Sequence, residues 1–182
     1  MIWLFWPVLL VIAVWLIWTY NGLVALRHQI ENAWKQIDVQ LKRRYDLIPN
    51  LVETVKGYMQ HEQDTLQKVI DARSRAMTST GIKENAEAQT ALTQSLGRMF
   101  ALMENYPDLK ANQNVLRLQE ELTTTENKVA FSRQAYNDSV MDYNTLRESF
   151  PNNFVAGWFG FRGAELLQIE DEAKRQVPKV SF

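Results

Sequence analysis

Two hydrophobic patterns divide the chain. Ile2 to Trp18 is apolar at every position, and no charge occurs before Arg27. From Leu23 onward apolar residues recur in steps of three and four: Leu23, Leu26, Ile30, Trp34, Ile37, Leu41, Tyr45, Ile48, Val52, Val55, Met59, Leu66 and Val69. Charged residues such as Glu31, Lys35 and Lys42 fall between them. That spacing makes one apolar stripe along a helix. Runs with period two are missing, so the body reads as all-α.

Crossing a bilayer core of about 30 Å takes roughly 20 apolar residues. Ile2 to Tyr20 rises about 28 Å as a helix, enough to span with little tilt. Trp3 and Trp6 mark one end; Trp15, Trp18 and Tyr20 mark the other. Indole and phenol rings favour the headgroup level, so these five are membrane-interface candidates. A cleaved signal peptide would carry basic residues ahead of the run and a small-residue cleavage site after it; nothing basic precedes this run, and the Asn21-Gly-Leu-Val-Ala-Leu26 that follows Tyr20 continues as helix. A core helix would show a polar face. Residues 1–20 are therefore expected to be a transmembrane anchor. The basic residues near the span all follow it, beginning with Arg27 and Lys35. That bias predicts an outside N-terminus and a cytoplasmic body.

Past the anchor, Pro49 interrupts the stripe. Its phase survives the proline, which fits a kink in one long helix. Its length without caps fits a turn before a second helix. Met77 to Asn85 reads as a loop. A third helix follows over 86–104, with Ala88, Leu92, Leu96, Phe100 and Met103 inward. Asn105 to Asp108 reads as a turn, and a fourth helix runs over 108–149. Its stripe is Val115, Leu118, Leu122, Thr125, Val129, Ser132, Tyr136, Val140 and Tyr143, polar for a core. Phe150 to Gly163 breaks the pattern with Phe150, Phe154, Trp158, Phe159, Phe161 and three glycines. It reads either as a cap over the bundle end or as a membrane-surface contact. On the second reading Phe154, Trp158, Phe159 and Phe161 join the interface candidates. Ala164 to Lys174 reads as a short acidic helix, followed by a tail.

Composition narrows the chemistry. Cysteine is absent, so no disulfide, thiol nucleophile or thiolate metal site exists. Twenty basic residues against 21 acidic ones give a net charge of -1, without the basic excess that nucleic-acid binding calls for. His61-Glu62 opens like a zinc-protease helix, but Thr65 stands where the second histidine belongs. No catalytic, cofactor-binding or metal-binding residue is nominated. Lys42, Arg43 and Arg44 could grip phosphate, though a solvated face with pairs such as Asp38–Lys42 is the simpler reading. Asn127, Tyr136, Asn137, Tyr143 and Asn144 form a polar set. It reads as a hydrogen-bond network fixing helix register, or as a partner surface.

Several stretches are recognisable. Asp38 to Val52 (DVQLKRRYDLIPNLV), Val55-Lys-Gly-Tyr58, His61-Glu62 and Glu104 to Lys110 (ENYPDLK) resemble the LemA family. So do Thr125-Glu-Asn127, Tyr136-Asn137, Tyr143-Asn144, Phe150-Pro151 and Val180-Ser-Phe182. The resemblance implies a bacterial membrane-anchored protein with one N-terminal span and a soluble up-and-down four-helix bundle. It tips Pro49 toward a turn, giving helices over 21–46, 50–77, 86–104 and 108–149. It implies no agreed activity. The expectation is a non-enzymatic scaffold or adaptor of the bacterial inner membrane, bound to lipid and self-associating as a homo-oligomer. The alternative is a regulatory or sensory partner of another inner-membrane protein, such as a protease or envelope-stress system.

Overall fold

The computed structural model describes residues 2–167, and side chains over 6–81 and 83–167. The described residues are helical, with no strand among them: α1 (Ile2–Lys56), α2 (Gln63–Thr78), α3 (Ile82–Met103), α4 (Pro107–Ala111), α5 (Gln113–Glu148) and α6 (Asn152–Trp158). They divide into two compact units. One comprises residues 2–47 and 119–166; the other comprises 48–118.

Helix α1 corrects the expected turn at Pro49, because it runs through that residue unbroken to Lys56. A proline inside a helix costs about 3 kcal/mol, through a lost hydrogen bond and a clash one turn back. Ile48, Leu51, Val52 and Val55 are all buried around it. Each such side chain gains roughly 1.5–3 kcal/mol on burial, so the stripe outweighs the proline. The real break comes at Gly57, and α2 starts only at Gln63.

Three further boundaries differ. The expected loop over 77–85 shrinks to 79–81, because Gly81 takes a positive φ of 92° there and α3 begins at Ile82. The expected helix over 108–149 is two helices. Asn112 is extended, and its Oδ1 accepts from the Asn114 and Val115 N–H groups. It therefore caps α5, as asparagine commonly does. Residues 164–167 form no regular element where a helix was expected; the remainder of the expected acidic helix lies outside the described residues.

In the first unit α1 and α5 pair. Thr19 meets Asn152 just beyond α5, Gln29 meets Ser139, Trp34 meets Tyr136 and Arg44 meets Glu126. Partner numbers fall as α1's rise, so the two helices run antiparallel. Ile37, Leu41, Leu122, Val129 and Val140 are buried in this unit. In the second unit α2 and α3 pack as a hairpin, burying Leu66, Val69, Leu92, Leu96 and Met99.

The glycines of this hairpin act oppositely. A Cβ at Gly81 or at Gly97 meets nothing within 4 Å. Backbone conformation alone then decides. Gly81→Ala should destabilise by about 1–2 kcal/mol, the left-handed penalty. Gly97→Ala, inside α3, should stabilise by about 0.5–1 kcal/mol. Urea denaturation of both variants checks the opposed signs.

Candidate functional site

Polar side chains mark the α1–α5 seam. Arg44 lies on it because Leu41, Arg44, Tyr45 and Ile48 share one face, and all four are buried. Its Nη2 lies 3.4 Å from Glu126 Oε1. The Arg44 side chain is 4% exposed and that of Glu126 is 46% exposed. Burial pulls the Arg44 guanidinium below its usual range, and Glu126 opposes that. Arg133 is lowered too, by burial first and then by the charge of Arg44. Lys42 and Arg43 face solvent. The basic triplet is thus split into two surface cations and one seam cation, and does not converge on one ligand.

The tyrosine–asparagine set on α5 splits as well. Tyr143 Oη donates to the Arg162 carbonyl at 2.8 Å, and Tyr136 Oη donates to the Glu165 carbonyl at 3.1 Å. Asn144 grips Ala164 from both sides. Its Nδ2 donates to the Ala164 carbonyl at 2.9 Å, and its Oδ1 accepts from the Ala164 N–H at 3.0 Å. Together these bonds tie residues 161–167, a strap without regular structure, to α5. Burial and the Glu165 carboxylate raise Tyr136 above the usual phenol range, so it stays an O–H donor at neutral pH. Gly163 passes the Arg147 guanidinium so closely that a Cβ would lie 3.2 Å from Nη2. Asn127 is exposed and Asn137 half-buried.

The strap begins at the aromatic segment. Leu23, Tyr143 and Ala156 are buried together, with Leu26, Leu146, Phe161 and Ala164 packed against them. Thr19 Oγ1 donates to Asn152 Oδ1 at 3.2 Å. Tyr20 meets Phe159 and Phe161 edge-on, at 4.9 and 5.5 Å between ring centroids. Residues 150–161 therefore sit at the end of the apolar stretch of α1. Among the described residues α1 is the one helix long and apolar enough to cross a membrane, and its apolar stretch is almost wholly exposed. Trp6 and Trp18 are exposed and Trp15 half-buried; the Trp3 side chain lies outside the described residues.

In the second unit an open groove of about 690 Å³ lies between the end of α1 and α2. Glu53, Lys56, Gln60, Gln63 and Gln67 line it with Met59 and Ile70. No three potential ligating side chains cluster to hold a metal among the described residues.

The motif stretches at Asp38 to Val52 and Glu104 to Lys110 fall within a match to the LemA family over residues 33–182. The chain belongs to the LemA family. Protein LemA of Metamycoplasma hominis is 27% identical over 152 residues, which covers 83% of this chain and 69% of that protein. Magnetosome protein MamQ 2 of Paramagnetospirillum magneticum is 24% identical over 179 residues, covering 84% and 66%. Magnetosome protein MamQ of Magnetospirillum gryphiswaldense is 20% identical over 176 residues, covering 82% and 65%. The LemA-family chain thus spans just under two thirds of the magnetosome proteins' length. Neither LemA nor MamQ names a reaction. Family membership and the apolar N-terminal helix fit a membrane-anchored protein.

The strap bonds are testable. Asn144→Asp keeps the acceptor, loses the donor and turns a carboxylate toward the Ala164 carbonyl. It should cost about 1–3 kcal/mol and speed tryptic cleavage after Arg162, the exposed arginine of the strap. Tyr143→Phe loses one neutral bond and should cost about 1 kcal/mol. Limited proteolysis followed by mass spectrometry reads both.

Proposed function

We propose that this protein is a non-enzymatic scaffold of the bacterial inner membrane, anchored by the first turns of α1 and self-associating through its first unit. The observation that carries the reading is the continuity of α1, which leaves its apolar stretch as the same helix that pairs with α5. From Tyr20 to residue 47 that helix rises about 40 Å. A rigid helix leaving a bilayer supports an adaptor role better than a flexible tether does. Val39 on α1 and Phe131 on α5 lie at the same level of the pair, and both are exposed. Apolar side chains left in water at one level support self-association there.

The names of the relatives support a role outside catalysis. A regulatory or sensory contact with another inner-membrane protein is the second reading. The groove between α1 and α2 favours it, since its polar rim and apolar floor are the composition of a transient docking surface.

Mass measurement of the detergent-extracted full-length protein tests the first reading. A defined oligomer is expected, and Phe131→Ser should reduce it to monomer without lowering the thermal midpoint. A monomeric full-length protein would turn the search to in-cell cross-linking for a different partner.

Orientation has its own test, because the chain holds no cysteine. Thr80→Cys lies in the exposed turn between α2 and α3. With the body cytoplasmic, a membrane-impermeant maleimide should label it only after the cells are opened. Labelling of intact spheroplasts would reverse the topology.

A further inference from the structure

We propose that α6 is a second membrane contact: an interfacial helix that lays Phe150, Phe154 and Trp158 into the headgroup boundary beside the anchor. The proposal rests on the anchor reading above and extends it to a lipid surface met by the opposite end of the chain.

Position comes first. From Ile2 to Thr19 the helix rises about 26 Å, close to the full depth of a hydrocarbon core of about 30 Å. Thr19 therefore marks the boundary on the body side, and Asn152 at the start of α6 is hydrogen-bonded to it. Tyr20, one residue on, holds Phe159 and Phe161. Both ends of α6 are thereby tied to the level at which the anchor leaves the membrane.

The two faces of α6 differ. Val155 and Ala156 are buried. Phe154 and Trp158 lie one turn apart and share the opposite face, and Phe150, in the turn just before α6, lies against Phe154. Phe150, Phe154 and Trp158 are 80%, 65% and 83% exposed. Phe150 and Phe154 are in edge-on contact at 6.0 Å. Together the three leave about 400–500 Å² of aromatic surface in water, as large as the biggest apolar patch on most soluble monomers. An apolar face this large, continuous with a membrane-spanning helix, fits the lipid surface that helix already occupies. Residues 149–161 contain no charged side chain, so no carboxylate opposes approach to the headgroups and no cation drives it. Burial of the rings supplies the attraction, which makes contact insensitive to anionic lipid and to salt.

The chain has six tryptophans, and variants keeping only Trp158, only Trp18 or only Trp34 separate the possibilities. Each full-length variant is reconstituted into phosphatidylcholine vesicles carrying brominated acyl chains. Trp158 should lose emission as Trp18 does, Trp34 should keep it, and added salt or phosphatidylglycerol should change neither. Quenching of Trp18 with Trp158 as bright as Trp34 overturns the interfacial helix and leaves the anchor standing. An unquenched Trp18 overturns the anchor itself. Phe154→Cys in the otherwise native chain, labelled with a polarity-sensitive dye, guards against misfolding of the tryptophan-poor variants. A blue-shifted dye quenched by brominated lipid supports the proposal. A blue-shifted dye that lipid does not quench, with disulfide cross-linking between copies when the unlabelled Phe154→Cys variant is oxidised, gives the face to a second copy and overturns it.

Discussion

The α1–α5 pair must hold one register over a long, nearly repetitive seam, and the polar contacts along it decide which. Leu, Ile and Val side chains at steps of three and four fit a neighbouring helix almost as well after a slip of one turn. Arg44 does not. Its guanidinium is buried and cannot lose its charge. A slip of one turn parts it from Glu126, and an unpaired buried cation costs several kcal/mol. The pair need add little net stability in the correct register, because the desolvation of Arg44 offsets most of its attraction. Its effect lies in the energy of the wrong registers. Gln29 with Ser139 and Thr19 with Asn152 repeat the constraint toward the anchor. Polar contacts at three levels fix an alignment that the apolar stripe leaves loosely specified.

The same logic explains why the α5 stripe looks too polar. Tyr136 and Tyr143 bury their rings in the seam, while their hydroxyls reach carbonyls of the strap. Residues 161–167 form no regular element, so their backbone groups need partners from elsewhere. Tyr143, Asn144 and Tyr136 supply them. With these bonds in place the strap covers Leu23 and Tyr143, and the aromatic segment is carried to Thr19 and Tyr20. An α5 stripe of leucines would pack equally well and leave the strap unsatisfied.

Helical class and the faces of the long helices were legible because both follow from periodicity, and most of the named stripe is buried. Breaks were less legible. Pro49 carries the strongest local signal in the chain, yet four buried neighbours override it. Gly57 and Asn112 carry weaker signals but stand where the stripe offers little resistance. Lysine at the end of α1 followed by glycine was a readable helix stop, and Asn112 was a readable cap three residues ahead of the first apolar position of α5. Arg44 was hidden by its neighbours. Reading Lys42-Arg43-Arg44 as one basic run obscured that only the third residue keeps the spacing of Leu41 and Ile48. Asn144 could be placed on the right face, but its partner lies on an irregular segment, and periodicity says nothing about which backbone group a side-chain amide will find.

The proposed scaffold role would place unusual weight on the membrane. Val39 and Phe131 together offer far less than the roughly 800 Å² per partner that a stable soluble interface buries. Two free copies would lose translational and rotational freedom that two such side chains cannot offset. Anchored copies have already lost much of it. They would share one surface at high effective concentration, and helices leaving the membrane without a hinge would present Val39 and Phe131 at one height. Contact by α6 would remove a further freedom, rotation about the anchor axis, and so fix which side of the α1–α5 pair faces a neighbour. The affinity between copies would then be set by how tightly the membrane end is oriented, more than by the apolar area at Val39 and Phe131. Loosening the strap should therefore weaken assembly even though the strap touches neither Val39 nor Phe131.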